Sequence, residues 1–89
     1  MSYTLDLAGD AAADLRDLEP WLQEEVLDEI DRLAADPSVL RPRLPGGTVI
    51  HDVTRDHAGS RHYLFITVHR DDARRRVGVH SVAHYSRAI

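Results

Sequence analysis

Tyr63-Leu64-Phe65-Ile66-Thr67-Val68 is a nearly continuous apolar run rich in aromatic and β-branched residues. It is too short for an ordinary helix and suits a strand at the centre of a sheet. Two more strand-like runs flank it, at 48–54 and 76–83, with the central run extending over 62–69. Gly59-Ser60 and Asp71-Asp72-Ala73 separate the three at hairpin length. The second half of the chain therefore reads as an antiparallel meander.

Upstream, residues 36–47 contain Pro37, Pro42, Pro45, Gly46 and Gly47 and read as an irregular loop. Asp36-Pro37 closes a helix that opens at Pro20, a residue suited to a first turn. Leu22, Val26, Ile30 and Leu33 make one face of this helix, widened by Leu27 and Ala34. Glu24, Glu25, Asp28, Glu29 and Asp31 fall opposite. A shorter helix is expected over 10–18, with Asp10 as N-cap, Asp14 in its first turns and an Ala11, Leu15, Leu18 stripe. Trp21 is expected to pack beneath it. Tyr3-Thr4-Leu5-Asp6-Leu7 alternates in polarity and reads as a first strand with one buried face.

The order β-α-α-β-β-β predicts one α+β domain over 1–89. Its helical hairpin packs on one face of a four-stranded, mostly antiparallel sheet. The opposite face is left open, and the later strands supply its side chains.

Charge follows the same division. Residues 1–40 set eleven acidic groups against Arg16 and Arg32, a net −9. Residues 41–89 set nine arginines against four aspartates, a net +5, and the whole chain stands at −4. The basic half also holds all six histidines. A polyanion is the partner expected for such a half. The absence of cysteine excludes disulfides and thiolate chemistry. No run approaches the ~20 apolar residues of a membrane span, and the N-terminus has no signal-like stretch. No membrane partner is expected, and the cytoplasm is the expected location. The histidines fall in no ligand motif; even if His51, His69, His80 and His84 approached one another, no metal or other cofactor is expected.

The chain resembles the RelE/ParE superfamily of bacterial type II toxins along nearly its whole length. The resemblance rests on an opening strand followed by Ala11-Ala12-Ala13-Asp14-Leu15 and on a second helix ending Leu33-Ala34-Ala35-Asp36-Pro37. It continues through Leu44-Pro45-Gly46-Gly47 before the second strand, Arg61 opening the third, and a fourth running into His84-Tyr85. It implies a toxin neutralised by a cognate antitoxin protein, with a toxin–antitoxin heterotetramer as one possible assembly. In the RelE-like branch the activity would be ribosome-dependent cleavage of messenger RNA. The alternatives are a ParE-like inhibitor of DNA gyrase and a non-catalytic member acting as an interaction module.

Metal-independent RNA cleavage needs a base for the 2′-hydroxyl, a cation for the phosphorane charge and an acid for the leaving 5′-oxygen. Histidine serves as base or acid near working pH, and arginine holds charge without titrating. Arg61, aided by Arg55, is expected to hold the scissile phosphate, with His84 as acid or base and Tyr85 orienting or stacking on the substrate. Arg87 and the run Arg74-Arg75-Arg76 are expected backbone contacts. His51 and His80 are expected to line the open face, and Arg61 can also pair with Asp56. The whole expectation requires Arg61, His84 and Tyr85 to meet on the uncovered side of the sheet.

Overall fold

The computed structural model describes residues 2–41 and 47–89. Strand β1 (Thr4–Leu7) is followed by helices α1 (Gly9–Arg16) and α2 (Pro20–Ala35) and a 3-10 turn, Pro37–Val39. Strands β2 (Thr48–His57), β3 (Ser60–Asp71) and β4 (Arg76–Ala88) complete the chain. The sheet order is β1-β4-β3-β2, antiparallel except for β1 beside β4. This is the expected α+β arrangement. The Leu44-Pro45-Gly46 approach to β2 lies outside the described residues.

The three later strands are longer than their apolar segments suggested. The meander is pinned at one end by the two-residue turn Ala58-Gly59, both with positive φ, and Ile89 donates its N–H to the Gly59 carbonyl. Strand pairing carries β4 through 84–88, beyond the 76–83 expected from the sequence. The molecule is elongated as a result, 42 × 23 × 23 Å.

Alternate residues of each strand carry the core. Leu64, Ile66 and Val68 of β3, Val77, Val79 and Val82 of β4 and Val53 of β2 meet Leu22, Val26, Ile30 and Leu33 of α2. Each large side chain in this set contributes about 1.5–3 kcal/mol by leaving water. Ala11 and Leu15 bring α1 onto the same layer. Leu27, expected to widen the apolar face of α2, is exposed, whereas Glu29, expected in solvent, is only 8% exposed.

Spacing on β4 breaks the simple two-residue period. Val79 faces Val68 and Ser81 faces Thr67, so His80 is an extra residue inserted between them. Such a bulge reverses the phase of everything that follows it. The buried series Val77, Val79, Val82 records the reversal.

Side-chain bonds hold the layers in place. Ala8, not Asp10, occupies the N-cap position of α1, and Asp10 lies in the first turn. Asp14 instead reaches β4, where its Oδ2 accepts the Val82 N–H at 2.9 Å. This amide lies beyond the reach of β1, which pairs only with 76–79. Arg70 donates to the carbonyls of Pro37 and Leu40 at 2.9 and 3.0 Å, tying the 3-10 turn after α2 to the sheet. Its Nε also binds Asp72, which accepts the Tyr3 hydroxyl.

Candidate functional site

The register sorts the expected site residues onto two faces. On the open face, Arg61 stands opposite Arg87, Tyr63 opposite Tyr85 and Phe65 opposite Ala83. The tyrosine rings lie 5.7 Å apart and tilted, and the Arg87 guanidinium sits 5.8 Å from the centre of the Tyr63 ring. Arg61 is met by Asp56 through two hydrogen bonds, Nε at 2.8 Å and Nη2 at 3.2 Å. These bonds hold the Asp56 carboxyl below its ordinary range. Arg87 has no ion pair among the described residues. This end of the face offers two cations beside an exposed tyrosine ring and a half-buried one, suited to gripping phosphate and stacking bases.

His84 is not among them. Because of the bulge, it lies on the helix-covered side opposite Leu64, where its Nε2 is 2.9 Å from Nδ1 of His62. The two rings are stacked at 5.2 Å. Trp21 completes the group, lying edge-on to His62 and stacked on His57 at 4.0 Å. Thus Trp21 packs against the end of the sheet, and the exposed His57 ring stacks on it. Burial, and then the neighbouring His62, push the His84 imidazole below its ordinary pKa, with Glu19 opposing. The expected convergence of Arg61, His84 and Tyr85 on one face is corrected accordingly: Arg61 and Tyr85 share it, and His84 points away.

Arg55 and His51 also face the helices. Arg55 Nε binds Glu25 at 3.0 Å, and Arg55 Nη2 lies 3.8 Å from Glu29. His51 Nε2 lies 2.9 Å from the other oxygen of Glu29. The buried Glu29 carboxylate, with Arg32 also at 3.4 Å, thus anchors α2 to the edge strand β2. Arg55 is thereby removed from the phosphate, and His51 from the open face. Both lie in phase with the buried Val53, a signal present in the sequence.

The remaining expected contacts gather at the opposite end of the open face. Arg74 and Arg76 line a groove of about 370 Å³ with His80, His69, Asp6 and Asp71. Arg74 pairs with Asp71 at 3.2 Å and Arg76 with Asp6 at 3.3 Å. The Asp71 carboxyl is held below its ordinary range, first by the Arg74 backbone N–H. Arg75 adopts φ 53 in the adjoining turn, and its carbonyl accepts the Thr4 N–H. Sequence reading missed Tyr63 as an open-face residue because the continuous apolar run around it hides its own alternation. Of His51, His69, His80 and His84, it is His69 and His80 that approach one another on this face. Among the described residues, no group of three or more His, Cys, Asp or Glu side chains is arranged to hold a metal ion. No described helix is long and apolar enough to cross a membrane.

Neither a family model nor a curated protein matches the chain. Solved structures do. The toxin–antitoxin complex RelBE2 from Mycobacterium tuberculosis matches at 21% identity over 96% of this chain and 100% of that chain, with a TM-score of 0.67. The intact E. coli RelBE complex matches at 20% identity over 92% and 95%, with a TM-score of 0.66. A double mutant of E. coli toxin RelE in the free state matches at 22% identity over 93% and 83%, with a TM-score of 0.68. The chain therefore has the fold of the RelE toxins.

Proposed function

We propose that this chain is the toxin of a type II toxin–antitoxin pair and that it binds and cuts messenger RNA across the open face of its sheet. The observation that carries the reading is the Arg61, Tyr63, Tyr85, Arg87 cluster, displayed on a RelE fold and uncovered by either helix. Arg61 and Arg87 would hold the RNA backbone, and the two tyrosines would stack on bases. Asp56 would release part of the Arg61 fork as phosphate arrives. Cleavage would proceed by attack of the ribose 2′-hydroxyl, without a metal.

Docking on a translating ribosome would use this face, because the exposed acids of α2 repel ribosomal RNA from the other. The neutralising partner would be an antitoxin protein, as in the RelBE complexes that share the fold. Expression without a partner should arrest growth, and RNA from the arrested cells should show new cleavage sites within translated messages. Arg61→Ala should reduce that cleavage roughly 10–100-fold through weaker RNA binding, the scale of losing one charge-assisted backbone contact. Growth arrest with intact messages and trapped DNA gyrase would replace the nuclease reading with a gyrase poison. Unaffected growth would leave an interaction module.

A further inference from the structure

RNA cleavage needs an acid and a base, and the Arg61 end of the open face contains no histidine. Two imidazoles do lie on that face, His69 on β3 and His80 in the β4 bulge. Their ring centres are 6.1 Å apart, edge to face, and no hydrogen bond joins them among the described residues. This contrasts with His62 and His84, each of which already commits one ring nitrogen to the other.

The surroundings of the pair suit a phosphate ester. Each ion pair of Arg74 and Arg76 engages a single Nη1, leaving the rest of each planar fork for a phosphate oxygen. Gly78 stands directly opposite His69 and contributes no side chain, so the floor of the groove is bare. The groove also lies in line with the tyrosine cluster. His80 and Tyr85 are five residues apart on one strand, about 17 Å at ~3.3 Å per residue. The exposed Phe65 ring lies on the same face between them. A single RNA strand laid along the face would reach both ends.

We infer that the His69–His80 groove is the cleavage centre of this face and that the Arg61–Tyr85 end is its anchor. This rests on the RNA-cleaving reading above and moves its acid–base chemistry to residues that the resemblance does not indicate. His80 takes the proton from the ribose 2′-hydroxyl as its oxygen bonds to phosphorus. The P–O5′ bond breaks, and His69, on the same side of β3 as Asp71, delivers a proton to the leaving O5′. The products are a 2′,3′-cyclic phosphate and a 5′-hydroxyl, so no water, metal or redox partner is consumed. Arg74 and Arg76 hold the non-bridging oxygens.

Two measurements test this. In cells or a translation reaction where wild type cuts messages, His69→Gln and His80→Gln should each lower cleavage roughly 10²–10⁴-fold, the usual loss of a general acid or base. Binding of a single-stranded RNA to the same purified variants should stay within threefold of wild type. Cleavage by either variant within tenfold of wild type would overturn the assignment. The second measurement needs no nuclease activity: inorganic phosphate is titrated into the purified chain while histidine ring resonances are followed by NMR. His69 and His80 should shift and saturate while His62 and His84 do not. The Arg74→Gln/Arg76→Gln double variant and Gly78→Val, whose new side chain would occupy the floor, should each abolish the shifts. Phosphate that leaves His69 and His80 unmoved, or moves them equally in those variants, overturns the groove as a phosphate site. A wild type that neither arrests growth nor cuts RNA removes the underlying reading and the cleavage step together. The phosphate titration still decides the groove separately.

Discussion

The covered and open faces of the sheet are made by alternate residues of the same strands, yet they differ in kind. The covered face is aliphatic along the middle of the sheet and changes to Trp21, His57, His62 and His84 where the helices end. The open face carries arginine at both ends, with tyrosine at one and histidine at the other. Ordering the first face is what folds the chain. The second contributes little apolar burial and is free to be chemical. The sharpest way to break that contrast is to exchange consequences between the two faces.

The largest effect is expected from Ile30→Ala, which empties a fully buried position on α2. It should cost about 2–5 kcal/mol, read as a fall in the denaturant midpoint at constant slope. A small domain holds only about 5–15 kcal/mol in all. Tyr85→Ala is the counterpart on the open face, at a residue 58% exposed. It should shift folding by no more than about 0.5 kcal/mol. Its RNA affinity should fall by about 1–3 kcal/mol, the worth of one stacked base. If Tyr85→Ala unfolds the protein as Ile30→Ala does, the two faces are not separable.

How much of this contrast could be read in the sequence depended on phase. The helices, the layer order and the strands up to the β4 bulge follow from apolar spacing that no local feature disturbs. His51 and Arg55 could have been placed correctly too, since both are an even number of residues from Val53. The two ends of β4 could not be related by counting alone. His80 and His84 are four apart and read as neighbours on one face, while His80 and Tyr85 are five apart and read as opposed. The inserted residue at the bulge inverts both relations, and only the three-residue step from Val79 to Val82 hints at it. Pairings across the sheet, such as Arg61 with Arg87 or His69 with His80, depend on register, which the local pattern does not contain.

A smaller effect ties the His84 imidazole on the covered face to pH. Folding places His84 where its protonated form is disfavoured, chiefly by burial and then by His62. The folded state therefore binds fewer protons there than the unfolded chain. Stability from this source is intact above the ordinary imidazole range near pH 6.5, falls as pH drops through it, and levels off once the folded site protonates. Thermal unfolding from pH 7.5 to 5 should show a shallower decline in His84→Gln than in wild type. Equal declines in His84→Gln and wild type would detach the imidazole pair from folding.

The smallest expected effect concerns the turn that holds the two faces in register at the anchoring end. Ala58 and Gly59 have φ of 53 and 79 between strands β2 and β3. Positive φ at both central positions of a two-residue hairpin suits Asn-Gly, and alanine carries a Cβ penalty there. Ala58→Asn keeps the backbone and relieves part of that penalty, so it should stabilise by about 0.5–1 kcal/mol. Ala58→Gly should gain less, because the added freedom of the unfolded chain offsets the relief. Since Asp56 and Arg61 flank this turn, a firmer hairpin should also narrow the range of positions the Arg61 fork samples. RNA affinity would then rise with stability in Ala58→Asn. A gain in melting temperature with unchanged affinity would show that the anchor is already rigid, and that Asp56 alone sets its position.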